Sequence, residues 1–122
     1  MRIEACQGHF IAKAGGLFHS KRLFTGSLFE NFSYDVKQAI LVHEEGHIKG
    51  WHSELRLLAF FLLPAFLCHR VLHWTEYQAD AYAVSQGHAE GLLQLLHEES
   101  AETFWHPSHA DRKNRITLAL HP

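Results

Sequence analysis

The sequence predicts a small α+β domain, in which a short N-terminal sheet, antiparallel or mixed, is followed by helices. Residues 8–29 alternate loosely between apolar and polar positions and contain glycine turns, as antiparallel strands do. From residue 33 onward, apolar residues recur instead at helical spacing. The chain has 122 residues, which fits a single domain over 1–122 with one modest core.

Two strands are expected, HFIAKA at 9–14 and KRLFTGSLF at 21–29. The first helix can begin after Ser33 as N-cap and end at Gly50. One face of this helix carries apolar residues and two histidines at i, i+3, i+4, i+7 and i+11, namely Val36, Ala39, Ile40, His43 and His47. The two histidines are therefore expected to point into the protein.

The segment LLAFFLLPAFLC, residues 57–68, is the most apolar in the chain. A membrane span needs roughly 20 residues, so no transmembrane span is expected here. We expect a buried helix from Glu54 to about His69, bent or interrupted at Pro64. The alternative is a face for peripheral contact with a membrane or a partner, and an exposed face would favour a homo-oligomer.

Three more helices complete the expected order. Thr75 can N-cap EYQADAYAVSQ, which Gly87 would end. The others are expected over 89–100 and, after Pro107, over 108–120.

Composition argues against some partners and settings. The net charge is −2 with the twelve histidines neutral, so no basic excess exists to hold nucleic acid. The N-terminus lacks the apolar run of a signal peptide, and the two cysteines form no CxxC, so a reduced, cytoplasmic setting is expected. Cys6 is expected on a buried strand, with a role as a cap on a metal as the alternative.

The motif HEEGH at 43–47 has the composition of a catalytic metal site. On a helix, His43 and His47 lie one above the other, so both imidazoles can bind one Zn²⁺. Glu44 lies beside them and can accept a proton from a zinc-bound water. In a chain so rich in histidine the motif alone is only suggestive, and a buried, hydrogen-bonded histidine pair is the alternative.

A catalytic zinc ion needs a third protein ligand, and TEYQAD at 75–80 supplies a candidate. Glu76 can complete a His₂Glu site. Asp80, one turn further on the same face, can accept a hydrogen bond from the far nitrogen of a ligand histidine. An exposed acidic helix face is the alternative.

HEEGHIKGWH followed by EYQADAYA is similar to the HtpX / CAAX-prenyl-protease family of zinc metallopeptidases, and the chain looks most like its short soluble relatives, the minigluzincins. The family has a further histidine after HExxH, matched by His52, and an ExxxD helix, matched by Glu76 and Asp80. An HP and a later arginine match His106-Pro107 and Arg112. The lead-in from residue 16 to the motif also resembles the family, so the likeness covers nearly the whole chain.

The resemblance implies a zincin-like fold of the gluzincin type and a zinc metalloendopeptidase that acts on a peptide or protein substrate. It implies one catalytic Zn²⁺ on His43, His47 and Glu76, with Glu44 as general base and acid. His106 would stabilise the oxyanion, and Arg112 would brace an acidic group, with Asp80 as a partner. Family members usually carry transmembrane helices, which this sequence is not expected to have, so specificity for prenylated peptides is not carried over.

Three alternatives stay open at the level of sequence. The chain could be an ImmA-like regulatory protease, which also pairs HExxH with a downstream glutamate helix. It could be a latent zymogen with a segment of its own in the cleft. It could also be a zinc-binding sensor or interaction domain without turnover.

Overall fold

The computed structural model describes residues 2–98 and 106–121, which form a three-stranded sheet and five helices. The strands are β1 (Ile3–Ala5), β2 (Ala12–Gly15) and β3 (Arg22–Thr25). The helices are α1 (Tyr34–Lys49), α2 (His52–Leu62), α3 (Ala65–Ser85), α4 (Ala89–Glu98) and α5 (His109–Leu120). The predicted α+β class, with its sheet at the N-terminus, is therefore confirmed.

The sheet is mixed, with strand order β1-β3-β2. β2 runs antiparallel to β3, with Ala14 opposite Leu23, and both predicted strands are present in shortened form. β1 runs parallel to β3, with Ile3 opposite Leu23, and was not predicted. This order leaves β2 at an edge of the sheet, and that edge faces α1.

The first helix follows its predicted bounds. Ser33 is the N-cap of α1 and Gly50 is its C-cap. The face that carries Val36, Ala39 and Ile40 is buried, and both motif histidines are buried with it. α1 packs against α3, α4 and the sheet, so the motif lies at the centre of the domain.

The boundary between the next two helices differs from the prediction. The break at Pro64 is present, but the chain after it continues as one helix from Ala65 to Ser85. Thr75 is therefore not an N-cap; its hydroxyl donates to the carbonyl of Leu72 inside α3, at 2.7 Å. Gly87 follows the helix with φ +87°, the left-handed conformation that commonly ends helices.

The last two helices agree with the sequence pattern over the described residues. α4 begins at Ala89, and the final residues of its predicted range lie outside the described part of the chain. Ser108 is the N-cap of α5, where its hydroxyl accepts a hydrogen bond from the Asp111 amide. That bond satisfies one of the free amides at the helix start.

The prediction of a buried apolar helix over 57–68 is wrong. α2 and the start of α3 form a helical hairpin whose tip is exposed, with Phe60 at 73%, Phe61 at 74% and Phe66 at 68% exposure. The apolar pattern runs around the helix rather than along one face, so only Ala59 and Cys68 of this stretch are buried. Cys6 is exposed as well, which corrects its expected place on a buried strand. No helix among the described residues is long and apolar enough to cross a membrane.

Candidate metal centre

Close packing of α1 against α3 brings the two motifs together. Gly46 is buried at the contact, where an added Cβ would lie 3.1 Å from Cα of Ala79 and from Cβ of Tyr82. Since Ala79 is also small and fully buried, the two backbones can approach closely. Helix packing thus restricts position 46 of the motif to a small residue, so this position cannot vary freely.

Across this contact, the side chain of Glu76 lies against both motif histidines. The two Nε2 atoms of His43 and His47 are 3.2 Å apart. Each lies 3.1 Å from a different oxygen of the Glu76 carboxylate, His43 from Oε2 and His47 from Oε1. All three side chains are buried, so three donor groups converge on one point in the interior.

This triangle of donors has the dimensions of a zinc site. Two ligand atoms at about 2.0–2.1 Å from a tetrahedral ion lie about 3.3–3.4 Å apart. The observed separations of 3.1–3.2 Å come within a few tenths of an ångström of that spacing. His43, Glu44 and His47 also have ligand atoms within 4.8 Å of one another, but Glu76 makes the shorter contacts and fits the third position better.

Asp80 and Arg112 lie behind His43. Oδ1 of Asp80 is 2.8 Å from His43 Nδ1, a close contact without the geometry of a hydrogen bond. Arg112 donates to both oxygens of Asp80, at 2.8 Å each. The fork of the guanidinium therefore fixes the carboxylate that orients the ring of His43.

His52 lies behind His47, as Asp80 lies behind His43. Their Nδ1 atoms are 2.8 Å apart, so one must donate and the other accept. If Nε2 of His47 is to bind a metal, its Nδ1 carries the proton and His52 accepts it. Burial and the charge of Arg56 lower the pKa of His52 to about 4, which keeps the acceptor neutral.

Arg56 is a site residue that the sequence did not indicate. Its guanidinium donates to Oε1 of Glu76 at 2.9 Å and, through Nε and Nη2, to the hydroxyl of Thr75. It lies one turn after His52 on α2, so one helix face supplies both contacts. The i, i+4 spacing of a histidine and an arginine was the only available indication, and it is common on helix surfaces.

Glu44 reaches from α1 toward the sheet. Its Oε2 accepts a hydrogen bond from the Ala14 amide at 2.9 Å, and Ala14 belongs to the edge strand β2. The residue is partly buried. Burial, with a further contribution from Glu76, raises the pKa of Glu44 to about 7, which suits a group that accepts and returns a proton near neutral pH.

The pKa values of the three donor side chains reflect their burial and their contacts with one another and with Asp80. Burial lowers the pKa of His43, but the negative charges of Asp80 and Glu76 beside the ring outweigh it and raise the value to about 10. Burial lowers the pKa of His47 to about 4. Burial disfavours the ionised form of Glu76, yet the hydrogen bonds of both histidines hold its pKa well below the usual range. In the metal-free chain, protonated His43 thus joins Arg56 and Arg112 in compensating the carboxylates of Glu76 and Asp80.

His106 approaches the same point from the C-terminal side. It is half-exposed, and its Nε2 lies 3.7 Å from Oε1 of Glu76. The next residue, Pro107, is fully buried and anchors this segment before α5. The structure thus brings all seven site residues predicted from the sequence together around Glu76: His43, Glu44, His47, Glu76, Asp80, His106 and Arg112.

We found no protein-family model, curated protein or solved structure that matches this chain. The likeness to zinc metallopeptidases therefore depends on the motif residues themselves. The geometry defines a class of site, two histidines and a glutamate converging in the interior with a further carboxylate beside them.

Proposed function

We propose that the protein is a zinc-dependent endopeptidase with a zincin-like fold, in which His43, His47 and Glu76 hold one Zn²⁺. The convergence of three buried donor groups at the edge lengths of a tetrahedral zinc site is the observation that carries the proposal. A hydrogen-bonded histidine pair alone would not need a buried carboxylate between the rings, because burying that charge is costly.

A bound zinc ion would polarise the scissile carbonyl and lower the pKa of a water molecule nearby. Glu44 accepts the proton of that water and passes it to the leaving amine. Its raised pKa suits both transfers, and the Ala14 amide holds its carboxylate in place. His106, half-exposed at the rim, donates to the oxyanion that forms on the substrate.

The edge strand β2 offers a place for the substrate. An extended peptide can add to the free edge of a sheet through backbone hydrogen bonds. β2 occupies an edge of the sheet, and since its Ala14 amide already bonds the general base, a peptide would pair with other backbone groups of the strand. A peptide along β2 would therefore have its backbone beside the metal centre.

The deciding experiment compares the parent with Glu44→Gln. The variant should keep one zinc ion per chain, because Glu44 is not a ligand, while chelator-sensitive cleavage of a peptide library falls by about 10²–10⁴-fold. His43→Gln should lose both the bound zinc ion and the cleavage activity. Equal cleavage by parent and Glu44→Gln would show that the base has been assigned wrongly, and no cleavage by the parent would count against peptidase function.

A second candidate is a latent or non-catalytic zinc site, and the place of His106 favours it enough for a test. At 3.7 Å from Glu76, Nε2 of His106 lies close to the spacing of a fourth ligand. His106→Ala separates the two roles. Loss of activity with unchanged zinc content supports the oxyanion role, whereas a gain of activity supports a site closed by its own chain.

A further inference from the structure

The metal centre adjoins an open apolar cavity of about 620 Å³ between Leu17, in the loop after β2, and the α2–α3 hairpin. Its apolar lining consists of Leu17, Leu57, Phe60, Cys68 and Leu72. The volume lies in the range of sites that enclose small ligands or side chains. The cavity is distinct from the donor triangle, and none of the proposed ligands lines it.

Two elements connect the cavity to the metal centre. On α3, Cys68 and Leu72 precede Glu76 by eight and four residues, so they lie on the same helix face at about 12 and 6 Å along the axis. On α2, Arg56 lines the cavity while its guanidinium bonds Glu76 at 2.9 Å. The cavity therefore opens within one to two helical turns of the metal ligands.

The edge strand leads to the same cavity. Ala14 bonds Glu44, and Leu17, three residues further along the chain, lines the cavity. Leu17 is held there by two hydrogen bonds with Ser20 in the turn that follows. A peptide that lies along β2 at the height of Glu44 would thus present a neighbouring side chain to the cavity.

The lining sets the chemistry of that side chain. Arg56 is the charged group of the lining, and its charge is compensated by Glu76. The other contacts are aliphatic, aromatic, thiol or, at Ser53, a hydroxyl. Burying a leucine or phenylalanine side chain there is worth about 1.5–3 kcal/mol, whereas a charged side chain would lose its hydration without a free partner.

We propose that this cavity is the specificity pocket of the enzyme and takes a bulky apolar residue next to the scissile bond. The pocket rests on the proposed peptidase function for its role in cleavage, but it can also be tested by binding alone. Leu57 is 45% exposed, so its replacement should alter the pocket without unfolding the domain.

The test compares zinc-loaded parent, Leu57→Asp and a control, Leu62→Asp. Leu62 is on the same helix, is 72% exposed and does not line the cavity. In a peptide-library digest the parent should favour leucine, phenylalanine or methionine at one fixed position beside the cut. Leu57→Asp should lower kcat/KM for a leucine peptide relative to its glycine counterpart by at least about tenfold, and Leu62→Asp should not.

A binding measurement separates this proposal from the peptidase function. With zinc-loaded Glu44→Gln, calorimetry should show tighter binding of the leucine peptide than of the glycine peptide, and Leu57→Asp in that background should remove the difference. Cleavage by the parent without apolar preference would overturn the pocket and leave the peptidase. Leucine-selective binding without cleavage by the parent would support the pocket and overturn the peptidase. Equal binding of both peptides would overturn the pocket.

Discussion

Glu76 is the residue on which the geometry of the site depends. Its carboxylate faces both motif histidines at 3.1 Å and accepts from Arg56 at 2.9 Å. Three groups thus fix a charge that would otherwise be costly to bury. A sequence motif can identify the ligands, but only the packing of α1 against α3 shows that the carboxylate reaches them.

At the scale of single residues, replacing His52 tests whether it positions the ring of His47. His52→Phe keeps an aromatic ring at this position but removes the acceptor for Nδ1 of His47. Zinc affinity should fall by about 10–100-fold, as is usual when the hydrogen-bond partner of a ligand histidine is lost. Competition with a fluorescent chelator measures this. His97→Phe, on α4 and away from the site, is the control and should bind zinc as the parent does.

The pair of Asp80 and Arg112 should matter for folding. Arg112→Met leaves the buried carboxylate of Asp80 without its two guanidinium hydrogen bonds. The free energy of unfolding of the metal-free chain should drop by about 3–5 kcal/mol in urea titrations. The double variant Asp80→Asn with Arg112→Met should recover part of that loss, because it also removes the uncompensated charge. A loss below 1 kcal/mol in the single variant would contradict the pairing.

Zinc binding should release a proton from His43. The pKa of His43 is raised to about 10 in the metal-free chain, so the ring is protonated at pH 7 and must become neutral to bind zinc. The affinity should therefore rise with pH. Calorimetry in buffers of different ionisation enthalpy should give about one proton released per zinc at pH 7. Release of none would mean that this ring is already neutral.

At the scale of elements, some of the fold follows from local pattern and some does not. α1 was predictable because its caps and its apolar face are all coded within one segment, from Ser33 to Gly50. β1 was not, because a three-residue strand depends on a partner, β3, that lies about twenty residues away. The hydroxyl of Thr75 can cap a helix or bond back within one, and tertiary context made the second choice.

The site residues also divide into those that local sequence pattern predicts and those that it does not. His43, Glu44, His47, Glu76 and Asp80 were identified because helical spacing places them on common faces. Arg56 was missed because its contact joins α2 to α3, and no spacing within one helix encodes it. The role of Gly46 was missed because close approach of two helices depends on both of them.

The close packing of α1 against α3 can be tested by adding a methyl group at Gly46. Gly46→Ala places a Cβ 3.1 Å from Ala79 and Tyr82, so overpacking should destabilise the domain by about 1–3 kcal/mol despite alanine's higher helix propensity. Ala81→Gly, exposed on α3, is the control and should cost about 1 kcal/mol from propensity alone. Urea titrations measure both variants. A stabilising Gly46→Ala would mean that the helices are further apart than the structure shows.

At the scale of the whole molecule, the exposed tip of the α2–α3 hairpin is the least expected feature. The sequence suggested a buried helix, because twelve uncharged residues favour an interior. A chain of 122 residues has a core of limited size, however, and α1, α3, α4 and α5 fill it. The hairpin tip is left as a contiguous apolar surface of the kind that mediates association.

Self-association through this tip is therefore expected. Phe61, which is 74% exposed, is the position to alter. In sedimentation velocity, the parent should show a concentration-dependent rise in average mass, and Phe61→Asp should remove most of it with an unchanged circular dichroism spectrum. A parent that stays monomeric up to several hundred micromolar would rule out association through this surface. Leu118→Asp, exposed on α5, is the control.

The central claim is that His43, His47 and Glu76 hold one zinc ion, and the metal content and coordination of the purified chain test it most directly. Elemental analysis should give one zinc per chain. X-ray absorption should show nitrogen and oxygen ligands at about 2.0–2.1 Å, two of them imidazoles and none of them sulfur. Glu76→Gln should bind zinc more weakly with an altered spectrum. A chain without stoichiometric zinc, or a Glu76→Gln spectrum identical to that of the parent, would contradict the claim.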